Sequence, residues 1–185
     1  MSDSDAPLAV RSRLGVEVEL ARLRRRYGEF PVESRTVENE VDYFLHGMDV
    51  AREGWIGAAG AWVSDADDRV LFVRHADAPE EWCLPGGARE AEEGLDGTAA
   101  REVREETGVV CALSGVWRAE RKRIVLGEDP ERRYYLLDAN FEARYVDGSL
   151  ELADDDEILE ARWFDERPDS VVAFARGKAD DWFEG

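Results

Sequence analysis

The chain has 185 residues, enough for one domain with a sizeable core plus an appendage. Its 43 acidic residues outnumber 24 basic ones, for a net charge of −19, which disfavours nucleic acid and anionic membranes as partners. There is no run of 18 or more apolar residues to cross a membrane as a helix, and the polar, acidic start Met1-Ser-Asp-Ser-Asp-Ala-Pro7 lacks the regions of a signal peptide.

Residues 1–13 are expected to fray. Residues 14–53 read as helical, because Leu14, Val18, Ala21 and Leu23, then Val41, Phe44, Leu45 and Met48, recur mostly at spacings of three or four. The arginines at 22 and 24–26 close a first helix, and Tyr27-Gly-Glu-Phe-Pro31 breaks it. Thr36 is placed as the cap of a second helix. From Gly54 the period changes. Trp55–Val63 and Arg69–Arg74 flank the turn-forming run Ser64–Asp68 and read as a hairpin. After the lead-in Trp82-Cys-Leu-Pro-Gly-Gly87 and a helix come strand candidates Ser114–Leu126 and Arg133–Tyr145, joined through 127–131. A loop opens at Asp154-Asp-Asp-Glu157, and Ala161–Phe164 is a short strand. A last helix runs from Ser170 to Phe183, capped by Asp169 or Ser170. Strands and helices in this order suggest a mixed sheet covered by helices, an α/β class.

The basic residues are 22 Arg and only two Lys, Lys122 and Lys178. Dense carboxylates keep a protein hydrated at high salt, where their repulsion is screened within about 3 Å. The composition resembles that of halophilic archaeal proteins; an acidic protein from a GC-rich genome is the alternative. Cys83 and Cys111 have no metal-motif spacing and read as reduced thiols of a cytoplasmic protein, with a disulfide between them left open.

The segment from Gly87 to Val109 carries the chemistry. Its fixed positions are Gly87, Glu93, Arg101, Glu102, Val103, Glu105, Glu106, Gly108 and Val109. Glu102, Glu105 and Glu106 stand at i, i+3 and i+4, one face of a helix. Three like charges on one face repel by a few tenths of a kcal/mol, roughly, per pair. A cation relieves that repulsion, and Mg²⁺ suits hard oxygen donors and phosphate oxygens together. Arg101, four residues before Glu105, is placed to pair with it. Gly108 suits the position just past a helix C-terminus. A Glu-rich helix in an acidic chain is otherwise a solvated face, so the spacing and the glycines distinguish this one.

This pattern resembles the signature of the Nudix hydrolases: Gly, five residues, Glu, seven residues, Arg-Glu, an aliphatic residue, any residue, Glu-Glu, any residue, Gly, an aliphatic residue. The likeness extends over about 54–183, with support from Trp82–Gly87 and from Glu157 with Arg162-Trp163-Phe164. It implies a Nudix-like α/β/α sandwich over 54–185, with 1–53 as an N-terminal helical extension that gates substrate, forms a homodimer or covers a sheet edge. It implies hydrolysis of a pyrophosphate bond in a nucleoside diphosphate linked to another moiety, with Mg²⁺ as cofactor and Mn²⁺ as substitute. Gly87 (through its carbonyl), Glu93 (through a water), Glu102, Glu105 and Glu106 would then serve the metal. The general base is Glu102 or Glu157, the latter in an acid run that also reads as a solvated loop. Glu105 is a further ligand or orients one. Trp82 either stacks on a base or belongs to the core. Arg118, Arg121 and Arg123 either bind substrate phosphates or pair with surface acids, and His46 and His75 form no metal cluster.

The segment after the signature, Lys122-Arg-Ile-Val-Leu126, lacks subfamily markers for ADP-ribose or dinucleoside polyphosphates, and the coenzyme A motif is absent. Nucleoside triphosphates or nucleotide sugars are the expected small-molecule partners. The alternatives are a nucleotide sensor without turnover and an RNA 5′-end pyrophosphohydrolase. Intact Glu102, Glu105 and Glu106 disfavour the first, and the negative charge disfavours the second.

Overall fold

The computed structural model describes residues 7–54, 57–152 and 157–185. Trp55 and the acids 154–156, both assigned above, lie outside them. The elements run α1 (Leu8–Tyr27), β1 (Val32–Asn39), α2 (Val41–Arg52), β2 (Ala58–Ser64), β3 (Val70–His75), β4 (Gly86–Ala88), α3 (Leu95–Thr107), β5 (Val109–Leu126), β6 (Asp129–Gly148), β7 (Ile158–Phe164) and α4 (Arg176–Glu184). The strand order is β1-β5-β6-β2-β3-β7, with β4 paired to β2. β1 is parallel to β5, whereas β2–β3 and β3–β7 are antiparallel, so the sheet is mixed as expected. The described chain forms two compact units. One holds residues up to Ala59 with Ala88–Thr98 and Gly115–Asn140, and the other Gly60–Gly87, Ala99–Ser114 and Phe141–Gly185.

In the first unit α1 buries Ser12, Val16, Glu19, Leu20 and Leu23 on one helical face. Gly28, at φ 82°, ends it with its N–H donated to the Arg24 carbonyl. The middle of the N-terminal segment departs from the helical reading. Val32–Asn39 is a strand, in register with Ala119–Leu126 of β5. Thr36 therefore lies opposite Arg123 and caps nothing; the residue before α2 is Glu40. The physical reason is the ladder. Its β-branched Val32, Thr36 and Val37 suit a pleat, and β5 supplies the backbone partners that a helix would supply internally. This part of the N-terminal segment thus covers a sheet edge. α2 packs on α1, and Phe44, Ala51, Ile124, Leu126 and Tyr134 form a buried cluster.

In the second unit the β2–β3 turn is closed by Asp65, whose Oδ1 accepts from the Asp67 and Arg69 N–H groups. The core is aromatic. Trp62 meets Phe72 edge-on at 5.5 Å and Trp182 at 5.8 Å, and Phe164 meets both Phe72 and Trp82. Gly108, at φ 73°, terminates α3 as its spacing predicts, and donates to the Arg104 carbonyl. The last helix starts later than expected, and neither Asp169 nor Ser170 caps it. Trp82 N–H donates to the Ser170 carbonyl and Val172 N–H to the Trp82 carbonyl, which holds 170–172 extended. A single 3-10 turn, Ala173–Ala175, then precedes α4.

Candidate active site

The second unit builds its acidic site from the end of α3 and the Pro-Gly-Gly turn. Glu106 is buried, 6% exposed. A buried carboxylate needs donors. Gly86 N–H donates to its Oε2 at 2.9 Å, and His75 Nε2 lies 3.9 Å from its Oε1. Glu102 rests against Gly87: a Cβ there would sit 2.6 Å from the carboxylate carbon and Oε1. Only glycine leaves that space. Arg101 Nη1 donates to Glu102 Oε1 at 2.8 Å and to Glu105 Oε2 at 2.9 Å. The expected Arg101–Glu105 pair is therefore present, and the same nitrogen also holds Glu102. Glu105 remains largely exposed.

Burial pushes the Glu102 carboxyl up, the Arg101 hydrogen bond and charge pull it down, and the charges of Glu105 and Glu157 push it up again. The net direction is upward. The ionised form is thus under-compensated, the condition in which a cation has most effect. Glu157 is exposed and reaches Glu102 as a through-space charge. Cys83, raised to about 12 by burial and then by Glu106, is a protonated structural thiol.

Among the described residues, no three His, Cys, Asp or Glu side chains form a metal cage. Mg²⁺ does not demand one, since it keeps several waters and binds through one or two carboxylates plus substrate phosphates. A pair of hard carboxylates, Glu102 and Glu106, set on the side-chain-free turn Gly86-Gly87, fits that requirement.

The other sequence-assigned residues lie as follows. Glu93 belongs to the first unit, where its Oε1 accepts from Glu90 N–H and Thr98 Oγ1, each at 2.9 Å. Trp82, 5% exposed, meets Phe164 at 4.7 Å and carries the Arg74 guanidinium 4.3 Å over its ring. It also lines a cavity of 570 Å³ with Arg74 and Arg162. Arg118, in the first unit, pairs with Glu33 at 2.7 Å and Glu120 at 3.5 Å. Arg123 donates to the Pro130 carbonyl at 3.4 Å.

Two features escaped the sequence reading. One is His75 beside Glu106, for which spacing gives no signal. The other is an ion-pair cluster in the first unit: Asp96 accepts from Arg22 at 2.6 Å and Arg26 at 2.7 Å, and Glu19 pairs with Arg22 and accepts from Leu95 N–H. The arginines at 22 and 24–26 were its signal.

The chain is similar to known proteins in sequence and in fold. The MutT NUDIX hydrolase structure from Burkholderia pseudomallei is 22% identical over 68% of this chain and 95% of that chain, with a TM-score of 0.50, a likeness of fold that agrees with the α/β/α class. Diphosphoinositol polyphosphate phosphohydrolase 3-alpha of Mus musculus is 50% identical over 63 residues, 32% of this chain and 38% of the relative. The Homo sapiens protein of that name is 38% identical over 76 residues, 40% and 42% of the two chains. The matched span is thus about two-fifths of these relatives' length. The family model of the NUDIX domain matches residues 55–176, more than half of the sequence, and the chain belongs to that family.

Proposed function

We propose that the chain is a Mg²⁺-dependent pyrophosphohydrolase that cleaves a nucleoside diphosphate linked to another moiety, by attack of water on phosphorus. The observation that carries this reading is the pair of Glu106, fixed by Gly86 N–H, and Glu102, raised and laid on Gly87. These two carboxylates would hold the cation, with the Gly87 carbonyl as a further donor. A bound cation neutralises phosphate charge and lowers the pKa of its water. Arg101 fixes the rotamers of Glu102 and Glu105 together. Glu102 is one candidate to accept a proton from the attacking water, and Glu157 is the second. Trp82 would serve substrate at the wall of the cavity it shares with Arg74. The matched relatives are named for diphosphoinositol polyphosphates, so these join nucleotides as substrates to test. We also infer residues 1–53 as an extension to a hydrolase domain at 54–185, and an acid-rich surface suited to molar salt.

The test is phosphate release from nucleoside triphosphates, nucleotide sugars, ADP-ribose and a diphosphoinositol polyphosphate, with Mg²⁺ or Mn²⁺, at low and molar KCl. Metal-dependent turnover of at least one substrate, highest at molar KCl, is expected. Tight nucleotide binding with no turnover anywhere would overturn the catalytic reading in favour of a sensor.

A further inference from the structure

A basic groove of this acidic chain lies within the first unit, on α1, β1, β5 and β6. This groove of 580 Å³ is lined by Arg13, Arg121 and Arg123 against one carboxylate, Glu17. That volume is within the range of small-ligand sites. The parallel register sets Ser34 beside Arg121 and Thr36 beside Arg123, so these pairs recur at every second residue along neighbouring strands. Alternation puts residues two apart on the same face of a sheet. Tyr135 adds a third hydroxyl to the lining.

The state of the three guanidinium groups decides what the groove suits. Arg121 is engaged, pairing with Glu17 at 3.0 Å and donating to Ser34 Oγ at 3.3 Å, yet its Nε is buried without a partner. Among the described residues, Arg13 and Arg123 have no carboxylate within ion-pair distance. Carboxylates are abundant in this chain, but one alone enters the groove. Planar guanidinium forks match phosphate oxygens bidentately, and hydroxyls supply further donors.

We infer that this groove is an oligophosphate-binding site formed by Arg13, Arg121 and Arg123. Its ligand is an anion with several phosphoryl groups, since a groove of 580 Å³ is far larger than one phosphate and its arginines are spread over α1 and β5. None of the signature carboxylates lines it. The inference does not rest on the hydrolytic reading, because it concerns binding without turnover.

The experiment uses the full chain in EDTA at about 0.1 M KCl, where charges act over about 10 Å, with inorganic tripolyphosphate titrated calorimetrically. Wild type, Arg13→Gln/Arg123→Gln and Arg25→Gln/Arg104→Gln are compared, with circular dichroism to confirm the fold of each. The last variant removes the same charge outside the groove. Saturable binding by wild type, at least tenfold weaker in the groove variant and unchanged in the control variant, is expected. No saturable binding by wild type, an unchanged affinity in the groove variant, or equal weakening in both variants would overturn the inference. Absent turnover in the substrate panel leaves this result independent, so the two proposals fail separately.

Discussion

Asp96 and Glu102 lie on the same helix, six residues apart, and their surroundings treat them in opposite ways. Burial would raise Asp96, but hydrogen bonds from Arg22 and the charges of Arg22 and Arg26 outweigh it and hold the carboxyl below its usual range. Glu102 has one arginine nitrogen, shared with Glu105, and two acids acting on it; burial wins and its carboxyl rises. The first carboxylate is satisfied by the chain itself, and with Glu19 it ties α1 to the start of α3. The second is left short of positive charge. In an acid-rich protein, the number of donors around a carboxylate separates a staple from a candidate cation ligand.

That contrast breaks most visibly at Glu106. Glu106→Gln keeps an acceptor for Gly86 N–H and removes the charge. It is expected to cut kcat by about a hundredfold or more, the scale of losing one electrostatic group at a transition state. Its far-ultraviolet circular dichroism and Tm should match wild type. Equal turnover in this variant would remove Glu106 from the site.

Asp96→Asn attacks the staple and leaves the candidate site chemically intact. Leaving Arg22 and Arg26 short of a charge is expected to cost about 2 kcal/mol of stability, below the full cost of breaking a buried pair because Arg26 is exposed. Thermal unfolding should shift down by about 4–8 °C for a chain of this size. A loss of kcat without a loss of Tm would contradict the assignment.

Gly87→Ala sharpens the comparison from the other side. The new Cβ would meet the end of a flexible side chain, so Glu102 can move aside at little cost in stability. Turnover is expected to fall about tenfold, as for a displaced supporting group, with Tm within a few degrees. A large Tm loss with normal kcat would mean that the contact serves packing.

Acid titration gives the smallest effect, and the sign differs between the two sites. Asp96 and Glu19 are held low, so the stability they contribute is complete above the unfolded carboxylate range, near pH 4, and is lost as pH falls through their folded values. The deficit of Asp96→Asn relative to wild type should therefore shrink in acid. Glu102 is raised, so its ionisation costs stability as pH rises through its titration. Denaturant unfolding from pH 3 to 7 checks both; a deficit of Asp96→Asn that grows in acid would reverse the sign.

Much of this was legible because local rules sufficed. The i, i+3, i+4 acids, the Arg101–Glu105 spacing and Gly108 are set within one helix. The Arg101–Glu102 contact was not legible, because adjacent residues on a helix do not ordinarily face each other. β1 was hidden because its stability comes from a ladder with β5 across more than 80 residues of sequence, while its own residues are mostly polar. The start of the last helix was hidden for the same reason: Trp82, far away in sequence, holds 170–172 extended. Asp96 looked like an ordinary first-turn acid, and only tertiary packing reveals that α1 brings two arginines to it.

The central claim is that Glu102 and Glu106 together form a divalent-cation site. It is tested most directly by titrating Mn²⁺ into wild type, Glu106→Gln and Asp96→Asn in molar KCl, which screens the diffuse acidic surface. Saturable binding in wild type and Asp96→Asn, weakened at least tenfold in Glu106→Gln, is the predicted result. Equal affinity in Glu106→Gln and wild type would contradict it.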